Sequence, residues 1–145
     1  MRPGFIAFAL ACAFVGASLY ISLVEQPARL GLQPGAMVKE WTPSNRRGFV
    51  LTSAIALIAS VLAYMDFAQS RDARLLIGGT VILASLPYTF FVVVPVNVLL
   101  YALAPEQGRA AVRELMREWG LLEWGQTALG LIACWFLGWV MLQPA

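Results

Sequence analysis

The chain has 145 residues, of which 60% are hydrophobic and only 12% charged, with a mean hydropathy of +0.74 and a net charge of +2. Soluble domains carry about 25% charged residues, and one this apolar would expose large greasy patches, so the bilayer is the expected solvent. So small a net charge, with its basic residues in short loops between apolar runs, argues against nucleic acid as a partner.

Four stretches lack Asp, Glu, Lys and Arg over membrane-spanning length: Pro3 to Val24, Gly48 to Met65, Leu75 to Tyr101, and Trp124 to the C-terminus. A spanning helix needs roughly 20 mostly apolar residues. The expected architecture is an all-α integral membrane four-helix bundle, one transmembrane domain over residues 1–145, with helices over about 4–25, 48–67, 75–103 and 120–142. In the first run Arg2, an apolar stretch and Val15-Gly16-Ala17 also fit a signal peptide with a small-residue cleavage site. Apolarity continues unbroken to Val24, however, and removal would leave three spans.

Between the first two spans, Glu25 to Arg47 reads as a long loop with Pro27, Pro34, Gly35 and Pro43 as turn signals. Asp66 to Arg74 reads as a short hairpin connection. The third span contains Pro87, Pro95 and Asn97, the pattern of a kinked or tilted helix. Residues 105–118 read as an amphipathic interfacial helix, with Pro105 in its first turn and Arg113, Glu114, Arg117 and Glu118 on its wet side. Cys12 and Cys134 lie in the first and last apolar runs, where thiols usually behave as small hydrophobes.

Loops one and three hold Arg29, Lys39, Arg46, Arg47, Arg109, Arg113 and Arg117, against Arg2, Arg71 and Arg74 on the opposite side. The positive-inside rule then places loops one and three in the cytoplasm and both termini outside, in what is expected to be a bacterial inner membrane.

Every helix brings polar groups to the loop-one and loop-three side. The first ends in Glu25, Gln26 and Arg29; the second follows Trp41, Ser44 and Arg46; the third carries Thr89 and Asn97; the fourth starts with Glu123 and Gln126. A cavity with a few convergent polar groups is the default binding-site hypothesis. Each residue also has a plain structural reading. Glu25 and Arg29 fit an i,i+4 ion pair, Arg46 a headgroup anchor, and Trp41 an interface aromatic. Thr89 fits a back-bond to its own helix, and Asn97 can satisfy a carbonyl freed by Pro95.

The chain contains no histidine, which removes His-ligated metals, haem, and Ser-His or Cys-His nucleophile pairs. It has no CxxC, P-loop or dinucleotide fingerprint either. A general base would be Glu25 or Glu123, and no cofactor or metal is assigned.

Four blocks carry a resemblance. They are Gly16-Ala17-Ser18-Leu19-Tyr20 with Glu25-Gln26-Pro27-Ala28-Arg29-Leu30; Trp41-Thr42-Pro43-Ser44-Asn45-Arg46-Arg47-Gly48-Phe49; Pro87-Tyr88-Thr89 with Pro95-Val96-Asn97 and Leu100; and Trp119-Gly120 with Thr127-Ala128-Leu129-Gly130. Together they resemble the anthrone oxygenase-like small membrane proteins over nearly the whole chain. The resemblance implies four transmembrane helices and, in the few assigned members, oxidation of anthrones to anthraquinones without metal or flavin. The family's fourth-helix pattern L-H-x-x-R reads Leu122-Glu123-Trp124-Gly125-Gln126 here, so Glu123 replaces histidine and Gln126 replaces arginine. Asn45 stands where tyrosine is usual.

Two readings follow. In the first, the protein binds and oxidises a flat, apolar, quinone-like aromatic near the interface without a cofactor. Catalytic roles fall to Glu123 (or Glu25) as base and Arg29 as anion stabiliser, and ligand-binding roles to Trp41, Ser44, Arg46, Thr89, Asn97 and Gln126. In the second it is a non-catalytic structural or accessory subunit of a membrane complex, its small residues supporting close contacts in a homo- or hetero-oligomer. A transporter is disfavoured by four helices without a repeat.

Overall fold

The computed structural model describes residues 2–102 and 109–142. The described residues form four helical rods and no strand: α1 (Pro3–Leu30), α2 (Pro34–Ser70), α3 (Ala73–Ala102) and α4 (Arg109–Met141). All four are long and apolar enough to cross a membrane, as expected of an integral membrane four-helix bundle. α1 packs on α2 and α4, and α3 packs on the same two, so α1 and α3 sit diagonally.

Small side chains permit the close packing. Ala7, Ala11, Ala56, Ala59, Ala63 and Ala133 are fully buried in one half of the core, with Phe14, Leu75, Ile82 and Leu137 filling the gaps. Larger apolar side chains such as Phe90, Phe91, Leu121 and Trp135 face outward, as lipid-facing residues do. Cys12 and Cys134 meet across α1 and α4 as free thiols, with Sγ atoms 3.8 Å apart.

Two boundaries differ from the sequence expectation. α2 starts at Pro34, not near residue 48, because Pro34 occupies a first helical turn where its missing N–H costs nothing. The stretch expected as a loop is therefore helix, Pro43 included, and α2 runs about 55 Å. The expected interfacial helix is not separate: Arg109 to Glu118 opens α4, while Pro105 to Gly108 lie outside the described residues. Nothing between Glu118 and Leu121 breaks the helix, since Gly120 serves packing there. Arg113, partly exposed, donates from both Nη atoms to the carbonyls of Leu30 (Nη1) and Leu32 (Nη2, 3.0 Å), closing the C-terminus of α1.

Candidate functional site

Two helices are deformed at the same level. α1 contains a π-helical turn at Ile21–Glu25 and α3 another at Thr89–Val93. Each closes on an N–H bonded to the carbonyl five residues back, Gln26 to Ile21 and Val94 to Thr89, and in each a proline, Pro27 or Pro95, comes directly after that closing residue. A proline ring in a helix crowds the carbonyl four residues back and removes one hydrogen bond. A wider turn just before the ring relieves that crowding, and such single π turns concentrate at functional sites.

The first and last residues of both π turns, Ile21, Glu25, Thr89 and Val93, line one cavity. The cavity itself is small, about 40 Å³, and opens on one side into a groove of about 620 Å³ with which it shares Ile21, Glu25, Ser44, Gly48 and Thr52. Its remaining wall includes Ser44, Asn45, Gly48, Asn97, Trp119, Glu123 and Gln126, so all four helices contribute. No lysine or arginine is among the lining residues, whereas two carboxylates are.

Among the described residues, three polar atoms of this wall are buried without a hydrogen-bond partner: Asn97 Oδ1, Gln126 Oε1 and Trp119 Nε1. Native interiors rarely leave such groups, because each costs about 1–3 kcal/mol. Gln126 uses its other end to donate from Nε2 to Thr89 Oγ1, and that hydroxyl donates to the Ser85 carbonyl at 2.9 Å. The half-buried Glu123 carboxylate makes no hydrogen bond or ion pair among the described residues. Tyr88, one turn away, donates to the Leu122 carbonyl at 2.8 Å and fixes α3 against α4 beside Glu123.

Beneath the cavity lies a saturated polar network centred on Arg29, which is only 2% exposed. Its guanidinium donates to Glu40 Oε2 (2.5 Å), Glu25 Oε2 (3.2 Å) and Gln26 Oε1 (3.0 Å), and stacks 5.3 Å over the Trp119 ring. Ser44 Oγ donates to the same Glu25 oxygen at 3.1 Å. Gln26 Nε2 reaches the Met116 carbonyl at 2.6 Å, in a space that Gly120 leaves open; a Cβ there would sit 2.5 Å from Gln26 Nε2. Glu25 is thus fixed from two sides while still lining the cavity.

Of the sequence candidates, Glu25, Ser44, Thr89, Asn97, Glu123 and Gln126 come together on the cavity wall. Arg29 stands behind it, reaching it through Glu25 and Trp119. Trp41 is fully buried away from the cavity, packed on Tyr101 (centroids 5.0 Å) and edge-on to Trp119 (5.9 Å). Arg46 is exposed and lies on an outer groove with Thr42, Pro43 and Arg47, apart from the cavity. Its neighbour Asn45 lines the cavity instead, because one residue turns a helix by about 100°. Trp119 and Asn45 were absent from the sequence candidates; both stand inside the resemblance blocks, which was the available signal.

No curated protein and no solved structure matches this sequence. The family model described as anthrone oxygenase matches residues 41–136, which takes in α3, most of α2 and α4, and the cavity residues from Ser44 to Gln126. A match over that share of a four-helix chain, with the site inside it, identifies the family: the chain belongs to the anthrone oxygenase family.

Proposed function

We propose that the cavity binds a flat, apolar aromatic molecule carrying hydroxyl groups, and that Glu123 removes a proton from it in an oxidation by dioxygen. The observation that carries this reading is the cavity wall itself. It combines a carboxylate, Glu123, with no hydrogen bond or ion pair among the described residues, unpartnered acceptors at Asn97 and Gln126 and an unpartnered donor at Trp119. Ligand hydroxyls satisfy the amide oxygens, and the Trp119 N–H meets a ligand carbonyl oxygen.

For an anthrone-like carbon acid the chemistry balances. A ring methylene conjugated to the carbonyl loses a proton to Glu123, and the charge collects on the carbonyl oxygen facing Trp119. The electron-rich carbon then reduces dioxygen; one oxygen atom stays on that carbon as a new carbonyl, and the other leaves as water with the two hydrogens. Arg29 has its guanidinium occupied by Glu25, Gln26 and Glu40, so it acts as a positioning residue for Glu25. The excess of arginine and lysine at this end of the bundle supports assigning it to the cytoplasmic face.

Purified protein in lipid nanodiscs should consume oxygen and convert a hydroxylated anthrone to the anthraquinone. Glu123→Gln keeps the shape but cannot accept the proton, and should lower turnover by about 100-fold or more while ligand still binds. Full turnover in that variant would remove Glu123 from the chemistry. Binding without turnover in the wild type would leave a ligand-binding protein and no oxygenase.

A further inference from the structure

The cavity is continuous with a groove on the outside of the bundle. That groove runs between α1 and α2 and shares Ile21, Glu25, Ser44, Gly48 and Thr52 with the cavity wall. Its outer flanks are Tyr20 and Leu51, which are 55% and 57% exposed on the lipid-facing surface. Glu40 and Arg47 stand at its charged end. Ser44, Gly48 and Leu51 lie on one face of α2, so the slot extends over two helical turns, about 10 Å.

Gly48 stands on the wall that the slot and the cavity share. A Cβ built there meets nothing nearer than Ile21 Cδ1 at 3.9 Å, so the missing side chain is space and not packing. Thr52 turns its hydroxyl back to the Gly48 carbonyl at 2.9 Å and leaves its methyl group on the wall. Toward the charged end the Ser44–Glu25 hydrogen bond ties α2 to α1. An apolar molecule concentrates in the hydrocarbon of the bilayer, not in water. Its shortest route to the cavity is therefore sideways, past one flexible isoleucine.

We propose that the slot at Gly48 is a lateral portal through which a flat apolar ligand passes from the bilayer into the cavity. The proposal rests on reading the cavity as a ligand site. Gly48 would then set the thickness of molecule admitted, and Ile21 would be the side chain that swings aside.

The test uses a reporter whose chemistry is independent of anthrone turnover. A Val93→Cys variant, in a chain whose Cys12 and Cys134 are replaced by alanine, places a thiol on the cavity wall. An Ile132→Cys variant places one on the lipid-facing surface of α4 as a control. Both are reacted in liposomes with N-(1-pyrenyl)maleimide. Adding Gly48→Leu should slow labelling of the cavity thiol roughly tenfold, equivalent to about 1.4 kcal/mol of barrier, with the control rate unchanged. Gly48→Ala should stay within about twofold of the parent rate. Unchanged cavity labelling in folded Gly48→Leu overturns the portal. If that variant does not fold, Leu51→Trp on the exposed rim decides by the same readout. Gated labelling without anthrone binding would keep the portal and refute the ligand reading, so the two fail separately.

Discussion

The two ends of the bundle handle buried polarity in opposite ways. At the end holding the chain's N-terminus, Asp66 is 2% exposed and fully engaged: Arg2 Nη2 donates to it at 3.2 Å and the Gly4 N–H at 3.0 Å. A residue near the end of α2 thereby caps the start of α1, where the helix dipole favours a negative charge. Nearby, Asp72 caps α3 by accepting from the Arg74 N–H at 3.0 Å, and Arg74 Nη2 donates to the same carboxylate at 2.6 Å. At the opposite end Asn97, Gln126 and Trp119 keep buried atoms without partners beside the Glu123 carboxylate. That end does not lack the means of pairing, because the Arg29 network a few ångströms below is saturated. Ser22, Trp41 and Thr127 also hold an unpartnered buried atom off the cavity wall, but Asn97, Gln126 and Trp119 lie together on the one wall that all four helices share, where a ligand would complete them.

This contrast separates substitutions that cost stability from those that cost function. The largest effect belongs to Glu123→Gln, about 100-fold or more in turnover with little change in melting temperature. Asp66→Leu should do the reverse. It removes a charged cap and should lose about 2 kcal/mol of stability, seen as a lower melting temperature in detergent, with turnover per folded molecule unchanged. If Asp66→Leu melted like the wild type, the paired end would not be the stabilising one.

The smallest effect concerns pH. The Arg74 side chain beside Asp72 holds that carboxyl below its usual range. A lowered folded value means the contribution is complete above the ordinary carboxylate range and is lost as pH falls through the lowered value. The gap in melting temperature between wild type and Asp72→Asn, which keeps the cap but not the charge, should be full near neutrality and shrink below about pH 4. A gap that stayed constant with pH would remove the charge from the explanation.

Much of this organisation is legible in the sequence, because bilayer span and charge exclusion are local properties. The four runs and the drift of polar groups toward one end follow from reading residues in order. What escapes is rotation and register. Pro34, Gly35 and Pro43 look like loop punctuation, yet Pro34 opens α2 and Pro43 sits within it. Once residues 34–47 are helix, their facing is set by turns of about 100° per residue, which sends Arg46 outward and Asn45 inward. Pro27 and Pro95 announce a disturbance, but the five-residue register that lets Glu25 and Thr89 meet depends on neighbouring helices. The Asp66–Arg2 pairing joins residues 64 apart in the chain, and nothing local signals it. Trp119 has no local signal beyond its resemblance block, and its role shows only when the cation of Arg29 is found over its ring.

The most direct test of the unpaired end is equilibrium binding of a hydroxylated anthrone in nanodiscs, compared between the wild type and an Asn97→Leu/Gln126→Leu double variant. Gln126→Leu gives up the bond to Thr89, but both substitutions remove an unpaired buried oxygen, so the melting temperature should stay close to that of the wild type. If those amides exist to meet ligand hydroxyls, affinity should fall by about tenfold or more, equivalent to about 1.4 kcal/mol. Equal affinity in the double variant would contradict the account, because the unpaired wall would then serve no ligand.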